Sequence, residues 1–181
     1  MMDIMKILFI GPMGAGKTTA IRTISDIELL STEAINNDTE QHTKATTTVA
    51  LDYGEVNLGQ GETVLLYGIP GQERFSFMWP VLAEGALGAI LLINDDLPNS
   101  QQHLTNYLNA FPHLIEKGTA VIGVWSAENL SDELLEPYRA ILKERELALP
   151  IIKTDVRVKE NVLTLIEMLI VNIEVNQLSV C

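Results

Sequence analysis

The chain has 181 residues, 47% of them hydrophobic, and carries 24 Asp and Glu against 12 Lys and Arg, for a formal net charge of −12. That length predicts one domain over residues 1–181, and the apolar content excludes a disordered chain. The negative charge argues against nucleic acid and anionic lipid as partners, and one cysteine excludes an internal disulfide or a Cys-based zinc site.

In chain order, the first apolar run is Ile4–Ile10, read as a strand buried on both faces. It includes Lys6 and is too short to span a bilayer. Met2 stands where myristoylation would need Gly, and Cys181 cannot head a prenylation box. The expectation is a cytoplasmic protein with no integral membrane segment.

Gly11-Pro12-Met13-Gly14-Ala15-Gly16-Lys17-Thr18 follows and matches G-x-x-x-x-G-K-[ST] at every defined position. Glycines let successive backbone N–H groups curl around a phosphate, and the N-terminus of the next helix adds partial positive charge. Lys17 would reach the β- and γ-phosphates, and the Thr18 hydroxyl would ligate Mg²⁺. Gly14, Ala15, Gly16 and Thr19 complete the expected phosphate contacts.

A helix is expected over Thr19–Ile27, with Ala20, Ile21, Ile24 and Ile27 inward. Thr46–Leu58 alternates like a half-exposed edge strand, and Gln60-Gly61 turns it into Thr63–Tyr67 as a hairpin. Ala86–Ile93, Thr119–Trp125 and Pro150–Lys153 are further apolar strands. Leu104, Tyr107, Leu108 and Phe111 fall on one helical face. Ser131 with Asp132 and Glu133 starts another helix, and Val162, Leu165, Ile166, Leu169 and Ile173 mark the last. The order implies an α/β fold: a six-stranded, mostly parallel sheet with one antiparallel hairpin strand, helices on both faces, and the ligand at the carboxyl ends of the strands.

Two segments after the phosphate loop carry a resemblance. Thr46-Thr47-Thr48-Val49-Ala50-Leu51-Asp52-Tyr53 leads into the hairpin, and Gly68-Ile69-Pro70-Gly71-Gln72 leaves it. This order resembles the small Ras-like GTPases. The resemblance implies that Thr48, with Thr47 as fallback, ligates Mg²⁺, although a threonine run is also ordinary strand composition. It implies that the Gly71 amide senses the γ-phosphate and that Gln72 orients the attacking water. Gly68 stands where that superfamily has an Asp, so the metal is held either more weakly or by another group. The stretch Leu66–Gln72 resembles the bacterial MglA-type GTPases, which also lack that Asp. Those proteins are switches in polarity and motility, partnered by Roadblock-fold dimers that act as activators. The likeness covers Lys6 to about Ile93; Gln72-Glu73-Arg74-Phe75 resembles the wider superfamily. No arginine stands in the first switch, and Lys44 and Arg74, the nearest cations, read as ordinary surface charges.

At the base site the likeness thins. Trp125-Ser126-Ala127-Glu128-Asn129-Leu130 replaces the N-K-x-D loop, with Glu128 at the carboxylate position. Thr154 and Asp155 either approach the base, or Asp155 caps the final helix. Asn94-Asp95-Asp96 is assigned no chemistry, and His42, His103 and His113 lie too far apart for a metal cluster. The resemblance thus implies a slow GTPase that binds GTP, GDP and Mg²⁺ and switches segments Asn36–Thr48 and Gly68–Pro80 for an effector or activator protein. A pseudo-GTPase scaffold is the alternative. A P-loop kinase is disfavoured, because the few arginines form no lid cluster.

Overall fold

The computed structural model describes residues 4–31, 51–59, 61–129 and 131–178. Thr47, Thr48, Lys44 and His42 lie outside the described residues, as does the whole first-switch segment Asn36–Thr48.

Seven strands form one sheet in the order β2-β3-β4-β1-β5-β6-β7. They are β1 (Ile4–Ile10), β2 (Leu30–Ser31), β3 (Asp52–Gly59), β4 (Glu62–Gly68), β5 (Gly88–Asn94), β6 (Ala120–Trp125) and β7 (Ile151–Lys153). β1 pairs in parallel with β4 and β5, and β5, β6 and β7 continue in parallel. The β3–β4 hairpin is antiparallel, and so is the short pairing of β2 with β3. The sheet has one strand more than the six expected. β2 is two residues long, with both residues exposed, and so carries no hydrophobic alternation to read.

Strand periodicity divides the core between the two faces. Leu8, Ile10, Leu91 and Ile93 point to one side, where α2 (Trp79–Ala83), α3 (Ser100–Ala110), α4 (Pro112–Glu116) and α5 (Glu136–Glu144) cover them. Ile7, Phe9, Ile90 and Leu92 point to the other, beneath α1 (Lys17–Ile24) and α6 (Lys159–Leu178). All eight of these strand side chains are at most 1% exposed. Each contributes about 1.5–3 kcal/mol by leaving water. Continuous apolar sequence in β1, β5 and β6 follows from this two-sided burial.

Local chemistry sets the element ends. α1 stops at Ile24, three residues short of the expected end. The Ser25 hydroxyl accepts from the backbone N–H of Ile27 and Glu55 and donates to the Ile27 carbonyl. Ile27 is consequently 38% exposed rather than inward. The Ser131 side chain accepts from the Glu133 N–H at 3.1 Å, capping a 3₁₀ turn over Asp132–Leu135 that runs into α5. On α6, Val162, Leu165, Ile166, Leu169 and Ile173 are all buried, as their spacing requires.

β1 is central, and the chain leaves it first toward β4 and later toward β5. The crevice at this reversal lies beyond the carboxyl ends of β1, β4 and β5. It brings together residues 11–18, 68–72 and 94–96.

Candidate functional site

The loop leaving β1 has Gly11 at φ +143°, Gly14 at +81° and Gly16 at +93°. Gly11 is also forced by packing, since a Cβ there would lie 2.3 Å from the Leu92 carbonyl oxygen of β5. Gly16 serves as the left-handed N-cap of α1. This wraps the loop around the positive end of the helix, the arrangement that binds phosphate through backbone N–H groups.

The Lys17 ammonium is buried and donates to the carbonyls of Gly11 at 2.7 Å and Pro12 at 2.8 Å. Burial lowers its pKa to about 8, opposed by attraction to the Asp52 carboxylate. An arriving phosphate would favour the ammonium, so binding at pH above about 8 is coupled to proton uptake. Affinity is therefore expected to fall as pH rises past 8, approaching tenfold per pH unit (~1.4 kcal/mol). Calorimetry at pH 8.5 in two buffers of different ionisation enthalpy checks this; identical heats would contradict it.

Thr18 donates its hydroxyl to Asp52 Oδ2 at 2.5 Å, and Ser31 donates to Asp52 Oδ1 at 2.7 Å. Asp52 lies directly opposite Gly68 in the hairpin register. A Cβ on Gly68 would come within 3.0 Å of Asp52 Cβ and 3.2 Å of Oδ2. The missing side chain at 68 thus leaves the room that the Asp52 carboxylate takes.

Gly71 presses on the phosphate loop so closely that a Cβ would lie 2.5 Å from the Gly11 oxygen and 2.6 Å from the Met13 nitrogen. The next residue, Gln72, is half-buried and donates its amide to the Met13 sulfur at 3.5 Å. Behind this segment, Trp79 Nε1 donates to the Pro70 carbonyl at 3.0 Å and the Tyr107 hydroxyl to the Gly71 carbonyl at 3.2 Å. Trp79, Tyr107 and Phe111 stack with ring centroids 5.2–6.3 Å apart. Pro70 and Gly71 are therefore held between the phosphate loop on one side and Trp79 and Tyr107 on the other, with Trp79 in turn stacked on Tyr107 and Phe111. Arg74 is exposed, as read from the sequence, with its guanidinium over the Phe75 ring, 4.8 Å from the centroid.

The loop after β6 is built differently from its sequence reading. Trp125 Nε1 donates to the Ala15 carbonyl at 2.8 Å, tying this loop to the phosphate loop. Ser126 donates to Asp96, whose other oxygen accepts from the Ala127 N–H at 2.7 Å. These bonds, the one from Ser126 foremost, hold the Asp96 carboxyl below its ordinary range. Asp95 accepts from the Tyr138 and Ser100 hydroxyls. The turn assigned no chemistry is thus what fixes the base loop and α5.

A cleft of 510 Å³ joins these parts. Gly14, Gly16, Lys17, Thr18 and Thr19 line it on one side and Gly71 and Gln72 on the other, with Asp52, Trp125 and Arg157 between. Ala15 is buried beneath it. Glu128 is exposed and does not line the cleft, and neither do Thr154 and Asp155. Thr154 is buried, its hydroxyl without a hydrogen-bond partner. Asp155 accepts a two-pronged pair from Arg157 at 2.9 and 2.8 Å, which holds its carboxyl below the ordinary range. It also accepts from the Arg157 N–H at 2.9 Å, so this carboxylate closes a turn ahead of α6 instead of capping the helix or reaching into the cleft.

The donor set at the mouth, Thr18 and Asp52, is hard oxygen and suits Mg²⁺. Among the described residues no group of three or more His, Cys, Asp or Glu could hold a metal alone, so a cation here would need phosphate oxygens as well. No helix of the described residues is long and apolar enough to cross a membrane.

A family model described as "Conserved hypothetical ATP binding protein" matches residues 23–178, beginning just after the phosphate loop. Among curated proteins, the chain is 29% identical over 111 residues to the Danio rerio intraflagellar transport protein 22 homolog, covering 59% of this chain and 56% of that protein. The Homo sapiens homolog is 27% identical over 110 residues, 59% and 55% of the two chains. The chain thus spans about half the length of the curated relatives it matches. The fold is similar to that in the T. brucei IFT22/74/81 GTP-bound crystal structure, with a TM-score of 0.68, 18% identity and 99% of each chain covered. It also resembles the G domain of the T. maritima FeoB iron transporter, with a TM-score of 0.63, 18% identity, and 94% of this chain and 99% of that one covered. The fold is that of a small GTPase within the P-loop NTPases. These relatives are intraflagellar transport homologues and a transporter domain, not MglA-type GTPases, and they lend no support to a role in bacterial polarity or motility.

Proposed function

We propose that this chain, which belongs to the family described as conserved hypothetical ATP binding protein, binds GTP with Mg²⁺, hydrolyses it slowly to GDP, and acts as a switch read by a protein partner. The observation that carries the proposal is Gly71 seated on the phosphate loop with no room for a Cβ. A γ-phosphate arriving at that loop meets the backbone at Pro70 and Gly71, which Trp79 and Tyr107 hold from behind. In this proposal the terminal phosphate would draw the segment into a second position, which hydrolysis then releases.

In this reading Gly14, Ala15, Gly16, Lys17, Thr18 and Thr19 hold the α- and β-phosphates. Thr18 and Thr48 hold the Mg²⁺, which shields negative charge on the β- and γ-phosphates. Lys17 stays protonated against the γ-phosphate, and Gly71 donates its N–H to that group. Gln72 leaves the Met13 sulfur to orient water. Glu128, exposed on a loop that Asp96 fixes, is the proposed guanine partner and would turn toward the cleft to reach the base; Thr154 and Asp155 lie outside the cleft and carry no part of this proposal. The GTP bound in the T. brucei relative's crystal structure supports guanine over adenine. Partner binding would use the face of residues 70–81, where Phe77 is 71% and Val81 69% exposed. The partner is then a protein, either of the kind joined with IFT22 in IFT22/74/81 or a Roadblock-fold dimer, as the MglA resemblance implies.

Gln72→Leu tests the catalytic half. Intrinsic hydrolysis on the order of 10⁻⁴ to 10⁻³ s⁻¹ is expected for the native chain, with about a tenfold or greater fall in the variant and GTP affinity unchanged. Single-turnover release of phosphate reads both. Equal rates in the two proteins would remove Gln72 from the reaction. A second reading, a scaffold that binds nucleotide without turnover, is favoured by the Gln72 amide lying on Met13; it predicts no phosphate release from either protein.

A further inference from the structure

A nucleotide-bound cation ligated by the Thr18 hydroxyl has one further requirement. A magnesium ion held by one or two protein oxygens keeps several waters, and those waters and the ligating hydroxyl need a fixed anionic acceptor. The position that carries that acceptor in the Ras-like GTPases this chain resembles, at the end of β4, is here Gly68. The structure fills the place from the neighbouring strand.

We propose that Asp52 supplies this acceptor, replacing across the hairpin the carboxylate that position 68 lacks, so that the Mg²⁺ site is rebuilt rather than weakened. The inference rests on the nucleotide-binding reading above. Several observations carry it. Asp52 is directly opposite Gly68, so both side-chain positions face the same side of the sheet. The Asp52 carboxylate reaches within 3.2 Å of where a Gly68 Cβ would stand, the space a side chain at 68 would use. Its Oδ2 accepts the Thr18 hydroxyl at 2.5 Å, which commits the proton of that hydroxyl to Asp52 and frees its lone pairs for a cation. Ser31 holds the other oxygen at 2.7 Å, fixing the carboxylate rotamer. The same carboxylate acts electrostatically on the buried Lys17 ammonium, favouring its charged form.

The geometry also explains the glycine. With Asp52 present, any side chain at 68 meets Asp52 Cβ at 3.0 Å and Ile21 Cδ1 at 3.0 Å, so a second carboxylate there would add crowding and like-charge repulsion. The two positions are alternatives, and this chain uses the one on β3.

The test measures the Mg²⁺ dependence of binding of a fluorescent GDP analogue to the nucleotide-stripped full chain, titrating magnesium from excess chelator upward. Asp52→Asn is expected to raise the half-saturating Mg²⁺ about 10- to 100-fold, read for each protein relative to its own affinity in chelator. The exchange Asp52→Gly with Gly68→Asp returns a carboxylate to the same space and is expected to restore most of the magnesium response. Thermal melts of each variant separate a fold defect from a metal defect. A native chain whose binding responds to magnesium, with Asp52→Asn within twofold of it, overturns this inference and leaves the nucleotide reading standing. A native chain that binds no nucleotide at all overturns both.

Discussion

Replacing Lys17 with alanine is expected to weaken triphosphate binding by about 10²- to 10³-fold, corresponding to about 3–4 kcal/mol. The amine is the one buried cation in the cleft among the described residues, and without ligand it is spent on the Gly11 and Pro12 carbonyls. Both bonds can be exchanged for phosphate oxygens without moving the loop. The stability of the nucleotide-free fold should change far less, within about 1.5 kcal/mol. Losing two hydrogen bonds opposes the relief of no longer burying an amine. Calorimetric titration for affinity and urea unfolding of the stripped protein for stability read the two effects separately. A variant that binds as the native chain does would take the phosphate site away from this loop.

Gly11→Ala should have the largest effect on stability, about 3–5 kcal/mol. Two costs combine there: a backbone at φ +143° and a methyl 2.3 Å from the Leu92 carbonyl of β5, which is itself held in the sheet. Gly14→Ala provides the comparison. Gly14 has φ +81°, but its nearest neighbours are Leu97 methyls at 3.5 Å, so only the conformational cost of about 1–2 kcal/mol applies. Urea unfolding of the two variants is expected to rank Gly11 well below Gly14. Equal losses would mean that β5 yields to the loop, and that the loop's shape is not set by packing.

The architecture was legible where burial is two-sided. β1, β5 and β6 are mostly apolar runs, broken in β1 only by Lys6, and their observed limits lie within two residues of those read from the sequence. The phosphate loop was legible because its backbone conformation demands glycine at fixed spacing. The last helix was legible because five apolar residues on one face all needed the same core. What was hidden depends on pairing at a distance. A strict two-residue turn at Gln60-Gly61 would set Gly68 opposite Tyr53, on the wrong face for any carboxylate. The register shift between Asn57 and Gly59 moves the pairing by one residue and brings Asp52 opposite Gly68. No local pattern announces that shift.

The base loop shows the same limit in another form. Glu128 was read by its offset from the end of β6, yet the loop's path is set by Asp96, two strands' worth of sequence earlier, and by the Trp125 indole on Ala15. Asp95 and Asp96 looked like routine helix-start acceptors because their partners, Tyr138 and Ser126, are more than 25 residues away. The switch segment after β4 was recognisable from Pro70-Gly71-Gln72, but its anchoring to Tyr107 and Trp79 was not. Tyr107 reads only as one position of an apolar helix face and Trp79 is not singled out at all, and their polar atoms meet backbone carbonyls the sequence does not locate.

The most direct test of the account is calorimetric titration of the nucleotide-stripped chain with GTP, GDP and ATP in the presence of Mg²⁺. The account predicts one-site binding of GTP and GDP, each clearly tighter than ATP, with binding lost in Lys17→Ala. No binding of any of the three, or ATP bound as tightly as GTP, would contradict it.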